Sequence, residues 1–444
     1  MAQAPPPPID QKATNRRVLI GSLSGSAIEW YDFLLYASVA PIIFSKQFFP
    51  NDDPFIALML AWLGNLLTFV VRPFGGIVFA HIGDRVGRKK TLVITLSIMG
   101  LGTVAIGLLP TYATIGIAAP ILLYLFRIIQ GLAIGGEWGG ALLLAYEYAP
   151  DHRKGLFGAI PQMGVTLGLL MGNAAILLAT MLPGEAFETW GWRIPFVFSI
   201  ALVVIGLWIR DGLGETPAFR KVQDGGTVEK LPLVTTLREH WRSVLVAVGA
   251  KAVETAPFYI VVTFIGSYAM KIGYGKQDAL NAVLLGALVS CFCIPAFGAL
   301  SDRVGRTRTY LVGVGLLTAM AFPYFLLVNT KSMPAFYLAS ALMLGIAWAP
   351  VTATLGTLMS ETFSAKVRYT GITLGYQIGA AIFSGTAPLL AEWLFKASGS
   401  WWPIAAYIVV LGVISAIAVS FAPRLAVVEG RSTDEEMSTV EGKT

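Results

Sequence analysis

Gly83-Asp84-Arg85-Val86-Gly87-Arg88-Lys89-Lys90 is a short charged loop between two long apolar runs. It returns 218 residues later as Ser301-Asp302-Arg303-Val304-Gly305-Arg306-Thr307-Arg308, about half the 444-residue chain away. Each copy follows the second apolar run of its half. A second echo pairs EYAPDHRKG at 147–155 with ETFSAKVRYTG at 361–371. Self-similarity at a fixed offset marks a duplicated unit. The runs between the loops say what the unit contains. A helix needs about 20 apolar residues to span a bilayer core. Twelve such stretches occur, near 18–41, 55–80, 91–109, 119–148, 156–182, 192–210, 243–268, 279–300, 309–329, 334–358, 370–394 and 402–422. The chain therefore reads as an all-α membrane protein of twelve transmembrane helices in two pseudo-symmetric six-helix halves.

Composition agrees. Hydrophobic residues make up 55% and charged residues 13%, where a globular domain has about 25% charged; mean hydropathy is +0.69. Disorder, a secreted disulfide scaffold and an ordinary cytosolic enzyme are excluded. Cys291 and Cys293 are two apart on a helix and point away from each other, so they read as packing residues. The net charge of +6 is spread over many short loops, a topology signal and not a nucleic-acid patch. Twenty-three Lys and Arg fall on one side of the spans and six on the other, with three inside. That asymmetry places both termini in the cytoplasm. No apolar core precedes Arg17, so no cleavable signal peptide is expected. The organisation expected is a disordered tail at 1–16, a first half at 17–210, a polar linker at 211–242, a second half at 243–423 and a short tail at 424–444.

A charge at mid-bilayer costs about 2.5–3.5 kcal/mol and must be paired or face a watery cavity. Seven qualify: Glu29, Asp32, Arg72, Arg127, Glu137, Lys251 and Glu254. Three are positive and four negative, which suits a compensating buried network. Glu29 and Asp32, three apart, share a helix face and should titrate as a coupled pair; with Glu137 they are the proton-handling candidates. They could instead anchor Arg72 or Arg127, and Arg127 could neutralise either acid or gate Glu137. Lys251 and Glu254, also three apart, are either a local ion pair or a cation that meets a substrate carboxylate. Tyr31, Trp138, Gln162, Tyr259, Tyr376 and Gln377 are further cavity candidates. Glu147 and Glu392 lie near span ends and should reach the headgroups. The glycines at 164, 168 and 172 form a small-residue packing face. Asp84, Arg85, Gly87 and Arg88, with Asp302, Arg303, Gly305 and Arg306, read as gating loops. No Walker-type phosphate loop is present, and neither cofactor nor metal is expected.

These residues resemble the major facilitator superfamily. Asp-Arg-Val-Gly-Arg stands in both halves, and Arg127-x-x-Gln130-Gly131 runs on to Gly135-Gly136-Glu137. Within it, EWYDF (29–33), RPFGG (72–76), GGEWGGA (135–141), WGWRIPF (190–196) and ETPAF (215–219) resemble the metabolite:proton symporters, nearest to their shikimate-carrier branch. Two departures stand out. Ala80 replaces the glycine that normally precedes the first loop motif, while Gly298 keeps it in the second. The tail after Arg424 lacks the coiled coil of the osmosensing proline/betaine branch. Span five lacks the GPxxGG element of drug antiporters. The resemblance implies uptake of a small polar organic acid with a proton, by rocking of two halves around a central cavity in a bacterial inner membrane. Its partners would be the substrate, protons and the bilayer, with no nucleic acid and no obligate protein partner. Symport of a zwitterion and proton-coupled drug efflux are the alternatives. A membrane sensor would need a soluble signalling domain.

Overall fold

The computed structural model describes residues 11–86, 88–183, 185–211, 232–364 and 367–425, with backbone alone at 11–14, 80–81, 83–86, 88–89, 210–211, 232 and 276. All regular structure among them is helical. Twelve helices are long and apolar enough to cross a membrane: α1 (Asn15–Gln47), α2 (Pro54–Phe79), α3 (Lys90–Leu108), α4 (Ala118–Glu147), α5 (Asp151–Thr180), α6 (Phe187–Ile209), α7 (Trp241–Lys271), α8 (Gln277–Val304), α9 (Arg306–Asn329), α10 (Met333–Glu361), α11 (Arg368–Ser398) and α12 (Trp402–Leu425). They match the twelve apolar stretches to within a few residues. We call the end where α1 begins and α12 finishes the basic face, and the other end the distal face.

One expectation is corrected at the start of the chain. Helix already begins at Gln11, so the second part of the expected disordered tail is ordered. Residues 11–17 contain no proline and several strong helix formers; the proline run lies outside the described residues. Most of the linker, 212–231, also lies outside them. Its end forms the short helix Pro232–Glu239, which packs on α7 and α11.

Packing repeats with the sequence. In the first half α1 lies along α5, α2 along α4 and α3 along α6. Six helices on, α7 lies along α11, α8 along α10 and α9 along α12. The halves touch where α5 meets α8 and where α2 meets α11, and the same shift of six turns one contact into the other. Irregularities repeat as well. A π turn interrupts α1 at Ala40–Phe44 and α7 at Ile260–Phe264, at matching depth. A further π turn, Ala380–Ser384, interrupts α11.

Small residues let the backbones approach. In α4, a Cβ on Gly131 would run into the Thr68 carbonyl of α2, and one on Gly135 into the Arg72 carbonyl. In α5, Gly164 and Gly168 lie against Ser26, Trp30 and Tyr31 of α1. With little apolar driving force between helices in lipid, such close approach is what holds them together. Gly135→Ala should therefore force α2 and α4 apart, at about 1–3 kcal/mol for an overpacked site. Gly315→Ala on α9, where an added Cβ meets nothing within 4 Å, should leave the thermal midpoint of the purified protein unchanged.

Candidate functional site

All seven intramembrane charges are buried. Arg72 of α2 and Arg127 of α4 flank one ring: their guanidinium carbons lie 4.5 and 5.0 Å from the centroid of Phe33 on α1. Arg72 also stacks on Phe69 at 4.0 Å, and Arg127 on Tyr36 at 4.0 Å. Beyond the rings their surroundings differ. Arg127 donates to Gln130 Oε1 (2.9 Å) and Asn65 Oδ1 (3.2 Å). These are neutral amide oxygens, where the sequence leaves a carboxylate of Glu29 or Asp32 as one alternative, and Arg127 Nε has no partner. Arg72 has two nitrogens, Nε and Nη2, with no hydrogen-bond partner.

The two acids of α1 diverge. Three residues on a helix leave about 60° between side chains, enough to send one to each side. Asp32 accepts a hydrogen bond from Ser199 of α6. It lies beside Thr103 of α3 and feels the charge of Glu137; its Oδ2 has no partner. Glu29 acts instead on Arg72 and Tyr376. The pair expected to titrate together thus serves two environments. Gln130 bridges toward the Asp32 side, donating to Thr103 Oγ1 at 2.8 Å. Glu137 accepts from Thr95 at 3.4 Å.

Across the interface, Lys251 and Glu254 of α7 form an ion pair. Glu254 Oε1 also accepts from Thr352 (3.2 Å), and its main-chain carbonyl from Trp348 Nε1 (2.6 Å). The Lys251 ammonium sits 3.7 Å from the centroid of Tyr376 on α11. Trp138 of α4 stacks on the same ring, centroids 3.5 Å apart and planes 19° from parallel. At those distances the two occupy opposite faces of the phenol ring. Trp138 Nε1 donates to Gln162 Oε1 (3.3 Å), and Gln377 Nε2 to the Gly135 carbonyl (3.2 Å). Tyr259 packs edge-on against Phe33 and Phe69. Its hydroxyl, Gln162 Nε2 and Gln377 Oε1 are buried without partners. Tyr31 stands apart: its hydroxyl donates to the Pro195 carbonyl of α6 (2.7 Å), away from this cluster.

The basic face is closed. The Asp302 carboxylate accepts from the backbone N–H groups of Gly155 (2.8 Å) and Leu156 (3.0 Å) at the start of α5. Arg306 donates to Asp302 at 2.7 Å and reaches Glu361 at 3.3 Å. Gly305, at φ 99°, ends α8 in a conformation that favours glycine, and Arg303 is exposed. The side chains of Asp84, Arg85 and Arg88, and Gly87 itself, lie outside the described residues. At the distal face a small crevice of about 40 Å³ lies between the halves, lined by α1, α5, α7 and α8.

Sequence reading missed several partners. Asn65, Thr103, Ser199, Trp348 and Thr352 carry no charge, and a lone polar residue in an apolar span gives little signal. Glu392 is a correction. Expected at the headgroups, it is fully buried, accepting from Ser267 and from Lys271 at 2.6 Å. The π turn of α11 adds a residue before it, which rotates the face that follows by about 100°.

Removing one member of a buried ion pair strands the other, at about 3–5 kcal/mol. Lys251→Met should lower the thermal midpoint markedly. Adding Glu254→Gln to it should restore most of the loss, as a double-mutant cycle on the purified protein would read.

Comparisons with known proteins follow this geometry. The chain matches the profile of the Major Facilitator Superfamily over residues 23–384. It is 38% identical to a shikimate transporter of Escherichia coli (strain K12), covering 90% of this chain and 93% of that one. It is 35% identical to a proline/betaine transporter of Salmonella typhimurium, covering 90% and 82%. Among solved structures, the proton:xylose symporter XylE bound to 6-bromo-6-deoxy-D-glucose superposes with a TM-score of 0.71 at 15% identity, covering 93% of this chain and 96% of that one.

Proposed function

The chain belongs to the Major Facilitator Superfamily, a family of transporters and not of enzymes, and we propose that it takes up a small polar organic acid together with a proton. The acid is shikimate-like or a di- or oxo-acid. The observation that carries this reading is Arg72: a buried guanidinium with two unpartnered nitrogens, where the halves meet. A planar carboxylate fits that fork, with the Tyr259 hydroxyl and Gln377 Oε1 as further unused groups. Arg127, whose two terminal nitrogens are held by neutral amides and whose Nε alone lacks a partner, tunes the site from behind. Lys251 sits on the Tyr376 ring at its edge.

The charge count explains coupling. Glu29, Asp32, Glu137 and Glu254 against Arg72, Arg127 and Lys251 leave one net negative charge. Adding a monovalent anion alone makes two; adding anion and proton together leaves one. Reorientation through a low-dielectric interior favours the smaller charge, so the anion travels with a proton. Asp32 is the proton carrier we favour, because its Oδ2 is buried and unused; Glu29 and Glu137 are the others. The basic face is the cytoplasmic side of a bacterial inner membrane, with both termini inside. The Asp302 lock closes that side while the crevice faces outward, and rocking of the halves exchanges the two. A quaternary ammonium ligand fits less well, since Trp138 and Lys251 already cover both faces of Tyr376.

Uptake into proteoliposomes, acid outside, tests this with labelled shikimate, citrate, 2-oxoglutarate, proline and betaine. One acid should accumulate under the gradient. Arg72→Gln should weaken its binding at least about 30-fold, the scale of a lost buried charge contact. Asp32→Asn should abolish accumulation yet keep exchange of labelled for unlabelled acid. Accumulation of proline or betaine alone, or an acid bound equally well by Arg72→Gln, overturns the assignment.

A further inference from the structure

Between α7 and α12, on the outside of the second half, lies a groove of about 660 Å³. None of its lining residues belongs to the cluster around Arg72, and the transport reading makes no use of it. Its walls are apolar, with Leu245, Ile414, Ile417 and Phe421 among them; its rim at the basic face carries Arg242 and Arg424. Both arginines are exposed, and neither forms an ion pair with another described residue. Arg242 lies 5.4 Å from the Trp241 ring and Arg424 5.5 Å from the Phe421 ring. The groove reaches inward to Gly249, seven residues beyond Arg242, or about 10 Å of helix. A second observation sets the depth of the rim. On the short helix Pro232–Glu239 the apolar residues Val234 and Leu237, one turn apart, are exposed, as is Trp241 at the start of α7, beside the exposed Arg238. Such residues suit the boundary between headgroups and chains.

We propose that this groove is a binding site for an anionic phospholipid of the leaflet at the basic face. The phosphate and the headgroup charge meet Arg242 and Arg424; an acyl chain lies along the apolar floor toward Gly249. The pair of arginines selects an anionic over a zwitterionic headgroup, since each basic residue at a membrane surface adds attraction for negative lipid. The segment at 426–444, which is acidic, is the competing occupant. The inference is independent of the transported substrate.

Native mass spectrometry of the full chain, released from micelles with equal phosphatidylglycerol and phosphatidylethanolamine, tests it. The protein should retain phosphatidylglycerol in preference. Arg242→Gln or Arg424→Gln should each lower that retention about five-fold, and both together about 30-fold, with an unchanged thermal midpoint. Equal retention of the two lipids overturns the proposal, as does undiminished phosphatidylglycerol on the double variant. So does a full chain that retains none until residues 426–444 are removed, which would make that segment the occupant.

Discussion

Two buried guanidinium groups face one phenylalanine ring, and the crossing of α1, α2 and α4 is what keeps them there. A desolvated cation–π contact contributes about 2 kcal/mol, and each arginine has two such contacts. The rings can only do this if α4 lies tight on α2, which is why glycine stands at 131 and 135. The same carbonyl that a side chain at 135 would strike belongs to Arg72. Backbone approach and charge placement are thus a single constraint. Its outcome is asymmetric: both terminal nitrogens of Arg127 reach amides and its Nε is left over, while Arg72 keeps both Nε and Nη2 free.

The halves are joined differently at their two ends. At the basic face a carboxylate of α8 caps the first turn of α5, where backbone N–H groups are otherwise unsatisfied. This is a polar lock, made of groups that water can replace. Near the middle the junction is aromatic and cationic, with Tyr376 held between Trp138 of one half and Lys251 of the other. Separating the halves there exposes two flat apolar faces.

Much of this was legible in the chain. Twelve spans, two halves and the buried charges follow from apolar run length, a repeated loop and the cost of charge in lipid. Spacing offered the Lys251–Glu254 ion pair as one of two readings, and the two side chains do pair. What spacing could not decide was direction. Glu29 and Asp32 share a stripe yet look to opposite sides, because 60° suffices once three helices crowd around α1. Tyr31 turned to α6 for the same reason. Glu392 was misjudged because nearness to a span end does not show which neighbour covers it; Ser267 and Lys271 of α7 meet it there. The neutral partners Asn65, Thr103 and Ser199 are invisible without knowing which helices touch.

The π turns of α1 and α7 have a mechanical meaning. A wide turn spreads its hydrogen bonds over one more residue and leaves a backbone carbonyl less well satisfied. It is the compliant point of an otherwise stiff rod. The two turns sit at matching depth, one in each half, and residues on or beside them line the distal crevice. Bending there would move the distal tips of α1 and α7 while their lower parts stay packed, a smaller motion that would accompany the rocking of the halves.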